Sequence, residues 1–96
     1  MVTYLVLASW TEQGILGVKH SPARLDAARA LAKTMGITLR EFHLTTGASD
    51  MVMFADAPDD ESMAKFALTM GMGGNIRTTT SKVFSEDAYR KMVAGL

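Results

Sequence analysis

The sequence predicts a single α+β domain of the ferredoxin-like type, a βαββαβ sandwich extended by a C-terminal helix. Segments rich in β-branched and aromatic residues alternate with segments of helical periodicity, and only the second and third strands are joined by a short turn. Right-handed crossovers then place both main helices on one face of an antiparallel sheet with strand order 4-1-3-2. Because 96 residues suffice for one hydrophobic core, the domain is expected to span residues 1–96.

The first third of the chain predicts a strand followed by an interrupted helix. Residues 2–10 (VTYLVLASW) have the composition of a strand. Thr11 can cap a helix that two glycines weaken, and Ser21 with the proline after it can restart that helix. We therefore expect one helix with a break near His20 and an end at Gly36. Its apolar residues share one face: Leu25, Ala28, Leu31, Ala32 and Met35.

A β-hairpin is predicted next. Residues 37–45 (ITLREFHLT) and 50–56 (DMVMFAD) have the composition of strands, and the residues between them form a turn. Gly47 is expected to adopt a positive φ in this turn. Asp50 is expected to accept a hydrogen bond from turn amides or from a neighbouring strand. This structural role outweighs a catalytic one, because turn chemistry alone explains both residues.

The last third of the chain predicts a helix, a strand and a short final helix. Acidic residues after Pro58 favour a helix N-terminus. The glycine-rich residues 71–75 end that helix, and residues 76–84 (IRTTTSKVF) form the fourth strand. Ser85 can cap the final helix. Apolar residues of the two helices recur at helical spacing: Met63, Phe66, Ala67 and Met70 in the first, and Tyr89, Met92, Val93 and Leu96 in the second.

Composition excludes several classes of function. Ten Lys and Arg balance ten Asp and Glu, which removes the electrostatic argument for nucleic acid or anionic membranes as partners. The absence of cysteine excludes thiolate catalysis and cysteine-based metal sites. No segment has the length of a membrane span or the pattern of a targeting signal, so a cytoplasmic protein is expected. The two histidines lack metal-ligand spacing, and we expect neither a metal nor a cofactor.

The predicted sheet has an apolar centre on both faces. On the first strand, Leu5 and Leu7 point to the face opposite that of their apolar neighbours, and on the third strand Val52 and Phe54 do the same. Helices on one face cannot cover the other face. We therefore expect a homodimer, or a larger homo-oligomer, in which two sheets pack face to face as a dimeric α/β barrel. Val6 and Met53 are expected among the contacts between the copies.

Several segments together resemble the GYD-domain family over nearly the whole chain. They are TYLVL, SPARLDAARALAKTMG, REFHLTTGASD, ADAPDDESMAKFAL and GNIRTTTSKVF. Gly47 and Asp50 match the family's Gly-x-Tyr-Asp signature, whereas Ser49 stands where the tyrosine is expected. The family is similar to dimeric α/β-barrel proteins, so the resemblance implies that fold and assembly. It implies no reaction, because the biochemical function of the family is not established.

His43 is the strongest candidate for chemistry. Strand alternation predicts that Leu39, Glu41 and His43 share the face away from the helices. Arg40, Phe42 and Leu44 are then expected on the other face, with Phe42 and Leu44 buried beneath the helices. A neighbouring carboxylate can tune a histidine to act as a base near neutral pH. The structural alternative, a hydrogen-bonded histidine at a dimer interface, is favoured about two to one because one histidine without partners is weak evidence.

The remaining binding candidates are Arg77, Tyr4 and Trp10. Arg77 either holds a carboxylate-bearing ligand or pairs with an acid such as Glu41 or Asp50 across the dimer. Tyr4 and Trp10 are expected to supply an apolar wall if their face of the first strand points toward the same cavity.

Two classes of function remain open from the sequence. The first is binding of a small apolar or aromatic molecule between the sheets, with cofactor-independent acid–base chemistry at His43. The second is a non-catalytic dimeric module that assembles with or regulates another protein. The sequence does not decide whether the protein is an enzyme.

Overall fold

The computed structural model describes residues 1–96 and shows the predicted alternation of strands and helices. The strands are β1 (Val2–Trp10), β2 (Thr38–Leu44), β3 (Met51–Ala57) and β4 (Ile76–Lys82). The helices are α1 (Glu12–Leu16), α2 (Ser21–Thr34), α3 (Asp60–Met72) and α4 (Glu86–Ala94), with a 3₁₀ turn at Val18–His20 between the first two.

The four strands form one antiparallel sheet with the order β2-β3-β1-β4. This order is the predicted one, and it places the two most apolar strands in the centre. Helix α2 packs over β2, while α3 packs over β3 and β4. The α+β, ferredoxin-like fold class is therefore confirmed.

The hydrophobic core lies between the sheet and helices α2 and α3. Alternate residues of the central strands point into it, because successive side chains of a strand lie on opposite faces. The buried cluster consists of Tyr4, Val6, Met53, Ala55 and Ala57 from the sheet, Ala32 from α2, Ile37, and Met63 and Phe66 from α3. Val6 and Met53 are thus covered by helices of their own chain, and the prediction that they meet a second copy is wrong.

The opposite side of the sheet, here called the open face, carries the intervening residues. Leu5 pairs with Phe54 and Leu7 with Val52 across β1 and β3, and all four residues are half-buried. The predicted apolar centre of the second face is therefore present.

The helix ends follow from local hydrogen bonds. The Thr11 hydroxyl accepts from the Gly14 amide at 3.0 Å, and the Ser85 hydroxyl accepts from the Ala88 amide at 3.1 Å, as expected for N-caps. Gly36 follows α2 with a φ of 74°, a conformation that glycine adopts without strain. The predicted break lies at the 3₁₀ turn, and Ser21 is the first residue of α2 rather than its cap.

A β-bulge in β2 changes the predicted orientation of that strand. Arg40 pairs with Phe54 and His43 pairs with Val52, so β2 has one extra residue between them. Glu41 lies in the bulge and has a φ of 51°, which is uncommon outside glycine. Leu39 and Phe42 therefore both pack against the core, and the prediction that Leu39 shares a face with His43 is wrong. Leu44 is exposed rather than buried beneath a helix.

In the hairpin turn, the prediction for Asp50 is confirmed and the prediction for Gly47 is wrong. Gly47 does not have a positive φ, and a Cβ atom added there would meet nothing within 4 Å. The argument for a strained turn at Gly47 is therefore wrong. Asp50 accepts a hydrogen bond from the Trp10 amide through Oδ2 at 3.0 Å, which ties the hairpin to β1 as an interstrand contact.

Helix α4 remains largely without cover. Tyr89, Met92 and Val93 are 59%, 49% and 49% exposed, although they recur on one face of the helix. None of the helices has the length and apolar character that crossing a membrane requires.

Candidate functional site

The structure does not bring the predicted acid–base residues together within one protomer. His43 and Arg77 both lie on the open face, where they pair with Val52 and Ser9. They belong to the two edge strands, three strand spacings apart, or about 14 Å. Glu41 is in the bulge, and its carboxylate lies 3.8 Å from the Arg40 guanidinium. The His43 side chain has no hydrogen-bond partner in the protomer. The chemistry assigned to it stays a prediction.

Tyr4 and Trp10 face the opposite side of the sheet from His43. Tyr4 is 5% exposed, and its hydroxyl donates a hydrogen bond to the Asp60 carboxylate. Burial, followed by this hydrogen bond, raises the pKa of Tyr4 to about 12. Tyr4 therefore stays protonated and anchors the start of α3 to β1. The condition under which these two aromatic residues would line the same cavity as His43 is therefore not met.

The open face carries a polar cluster that sequence alternation missed. The Thr3 hydroxyl donates to Asp56 Oδ1 at 2.7 Å, and Arg40 Nε lies 2.6 Å from Asp56 Oδ2. The Thr3 hydrogen bond, and then the hydrogen bond and charge of Arg40, outweigh the effect of burial and hold the pKa of Asp56 below its usual range. The Arg40 guanidinium also lies 5.7 Å from the centre of the Phe54 ring. Each partner is engaged, so the cluster stabilises the sheet rather than offering a free reactive group.

An apolar cavity lies on the helix-covered face, between α2, α3 and the sheet. Its volume is about 280 Å³, and 15 of its 22 lining residues are hydrophobic. The sheet contributes Val6, Met51, Met53, Leu39 and Phe42 to its apolar surface, α2 contributes Leu25, Ala28 and Leu31, and α3 contributes Met63, Phe66, Ala67 and Met70. This cavity is referred to below as the helix–sheet cavity.

The chemistry of the helix–sheet cavity favours binding over acid–base catalysis. Arg24 is the single ionisable residue in its lining, and an arginine does not exchange protons near neutral pH. Trp10, the only tryptophan of the chain, also lines the cavity. Helical periodicity identified the residues that face the sheet, but it contains no information on the distance between α2 and α3, which creates the cavity.

A second, broader groove of about 650 Å³ lies on the open face. Its lining combines Thr3, Arg40 and Phe54 of the sheet with Phe84 and Ala88 at the start of α4. Neither this groove nor the helix–sheet cavity includes His43. No group of three or more His, Asp or Glu side chains has an arrangement that could hold a metal ion.

Comparison with known proteins identifies a family but no individual relative. No curated protein and no solved structure matches the chain. The family model described as GYD domain matches residues 4–93, which covers β2, β3 and β4 in full, β1 except its first two residues and α4 except its last residue. The chain therefore belongs to the GYD-domain family.

Proposed function

We propose that this protein binds a small apolar or aromatic molecule in the helix–sheet cavity. The single observation that carries the proposal is an apolar pocket of about 280 Å³, partly open to the surface, between α2, α3 and the sheet of a chain of 96 residues. Protein interiors are normally close-packed, with few voids larger than a water molecule. A cavity of about 150 Å³ lined by aliphatic and aromatic side chains holds benzene. The ligand site is thus proposed within each protomer rather than between two sheets.

The composition of the lining supports a ligand of adaptable shape. Four methionines line the cavity, Met51, Met53, Met63 and Met70. Methionine side chains are unbranched and polarizable, so they can repack around aliphatic or aromatic groups. The proposed function is therefore binding of an apolar compound, without assignment of a reaction.

Quenching of Trp10 by bromobenzene tests this function. The heavy atom of this neutral probe quenches tryptophan on contact, and Trp10 is the only tryptophan of the chain. We expect saturable quenching in the native protein. Ala67→Leu should weaken it at least fivefold, because Ala67 lines the cavity and the added atoms fill part of it, a loss of about 1 kcal/mol.

The matched control is Ala64→Leu, which makes the same change at an exposed position of α3. This variant should bind bromobenzene as the native protein does. Quenching that rises linearly with probe concentration, and equally in all three proteins, contradicts the proposed function.

We also propose that two copies associate through the open face. This association is the homodimer expected from the sequence, in which two sheets pack face to face. Two apolar surfaces support it: Leu5, Leu7, Val52 and Phe54 on the sheet, and the exposed stripe of α4. The open face measures about 19 Å by 23 Å at ordinary strand spacing and rise. The area of the open face together with α4 is of the same order as the surface that each partner buries in a stable interface, about 800 Å². The net charge of zero adds no repulsion between copies.

Sedimentation at micromolar concentration tests the association. We expect a dimer or larger oligomer for the native chain and a monomer for Leu7→Arg, because a charge would then lie in the centre of the interface. Leu68→Arg is the matched control, since Leu68 is 70% exposed on α3 and lies away from the open face. A monomeric native chain contradicts this proposal and leaves ligand binding within the protomer intact.

A further inference from the structure

We propose that the ligand of the helix–sheet cavity is an amphiphilic anion, an apolar body with one carboxylate group that lies against Arg24. This inference rests on the proposed function, because it concerns the same cavity. The lining of the cavity is mostly aliphatic and aromatic, and its polar side chains are Ser21, Arg24, Thr69, Asn75, Thr78 and Thr80.

Arg24 is a cation without a counter-ion. It is half-buried on α2, and none of the five ion pairs of the chain includes it. Its Nη2 atom donates to the backbone carbonyl oxygens of Gly14 at 3.2 Å and Gly17 at 2.8 Å. These bonds fix the guanidinium but do not neutralise it, since carbonyl oxygens carry no net charge. Partial burial of an unpaired cation favours an anion as its partner.

Two further hydrogen-bond donors line the cavity near Arg24. Ser21 lies three residues before Arg24 on α2, so the two residues share one side of the helix. Asn75 also lines the cavity, and its Oδ1 atom accepts a hydrogen bond from Gln13 at 3.1 Å. The NH₂ group of Asn75 has no acceptor within the protein.

The position of α1 brings Asn75 to the same end as Arg24. Gly14, whose carbonyl holds Arg24, lies directly against the Asn75 backbone, and the Thr11 amide donates to the Asn75 carbonyl at 3.0 Å. A guanidinium, a hydroxyl and an amide therefore lie in one region of the lining of an apolar cavity. This arrangement suits a carboxylate, which accepts several hydrogen bonds and carries the missing charge.

The volume limits the size of the apolar body. Since about 150 Å³ holds one benzene ring, the observed 280 Å³ is enough for two fused rings or a short alkyl chain. Monocarboxylates whose apolar body is two fused rings or a short alkyl chain are accordingly the class that we infer.

Calorimetric titration with two matched probes tests the inference. The probes are 2-naphthoate and 2-naphthamide, which have nearly the same shape and differ in charge. We expect the native protein to bind 2-naphthoate at least tenfold more tightly, as charge-assisted hydrogen bonds are stronger than neutral ones. Arg24→Met should abolish this preference and leave the affinity for 2-naphthamide within about twofold, because methionine keeps an apolar stem without the charge.

Arg29→Met is the control, since Arg29 is exposed on α2 and does not line the cavity. Equal binding of both probes to the native protein overturns the inference but leaves the proposed function standing. A preference for 2-naphthoate that Arg24→Met does not reduce also overturns it. If neither probe binds, the proposed function fails together with the inference. If Arg24→Met does not fold, the affinities of the native protein for the two probes still test whether the cavity prefers a carboxylate.

Discussion

Gly14→Ala is expected to destabilise the protein, although alanine is the better helix former. Gly14 is buried in α1, and a Cβ atom added there would lie 1.9 Å from the Asn75 carbonyl oxygen and 2.8 Å from its carbon. Both are backbone atoms. The Asn75 carbonyl cannot move away freely, because it accepts the Thr11 amide at 3.0 Å.

The magnitude follows from two opposing effects. Overpacking of a close contact costs about 1–3 kcal/mol, and replacement of glycine by alanine within a helix returns about 1 kcal/mol. We therefore expect a net loss of up to about 2 kcal/mol in the free energy of unfolding. For a chain of this size each kcal/mol lowers Tm by about 4–8 °C.

Urea denaturation monitored by circular dichroism measures this loss, with Gly71→Ala as the control. Gly71 lies in α3, and a Cβ atom there would meet nothing within 4 Å, so that variant should be as stable as the native protein or more stable. A Gly14→Ala variant that is at least as stable as Gly71→Ala would refute the close packing of α1 against the loop before β4.

Three further predictions follow from the hydrogen bonds and the turn. In Tyr89→Phe, Tyr4 is the only tyrosine left, and ultraviolet titration should give it a pKa of about 12. The free energy of unfolding should fall as pH rises from the ordinary tyrosine pKa to that value. Titration near pH 10 contradicts the burial of Tyr4. The native protein should lose stability as pH falls through the lowered pKa of Asp56, and Asp56→Asn should remove that part of the loss. An acid unfolding curve that the substitution leaves unchanged argues against the cluster. Gly47→Ala should change stability by no more than about 0.5 kcal/mol, because its φ is not positive and the added Cβ has space, and a larger loss contradicts that turn.

The sequence predicted most of the fold because the relevant signals are local. The order of strands and helices followed from composition and periodicity, and the strand order then followed from crossover handedness. The cap residues Thr11 and Ser85 were identified from their side-chain chemistry, and the structure contains both hydrogen bonds. The apolar centre of the open face was also predicted, since it depends only on alternation along β1 and β3.

The candidate site was predicted less well because it depends on features that are not local. The bulge at Glu41 adds one residue to β2, so simple alternation assigned Leu39 to the wrong face and missed Arg40 on the open face. Trp10 was expected to line a cavity and does so, but on the helix-covered face. The role of Arg24 required knowledge of where α1 ends, because the carbonyls that hold it come from that helix and its C-cap.

A crystal structure with bound 2-naphthamide tests the central claim most directly. This neutral probe does not depend on the charge of Arg24, so it examines the helix–sheet cavity itself. We predict density for the two rings between α2, α3 and the sheet, in contact with Met53 and Phe66, which line the cavity. Density against Leu7 and Phe54 on the open face, or a core in which α2 and α3 have closed over the sheet with no space between them, would contradict the account.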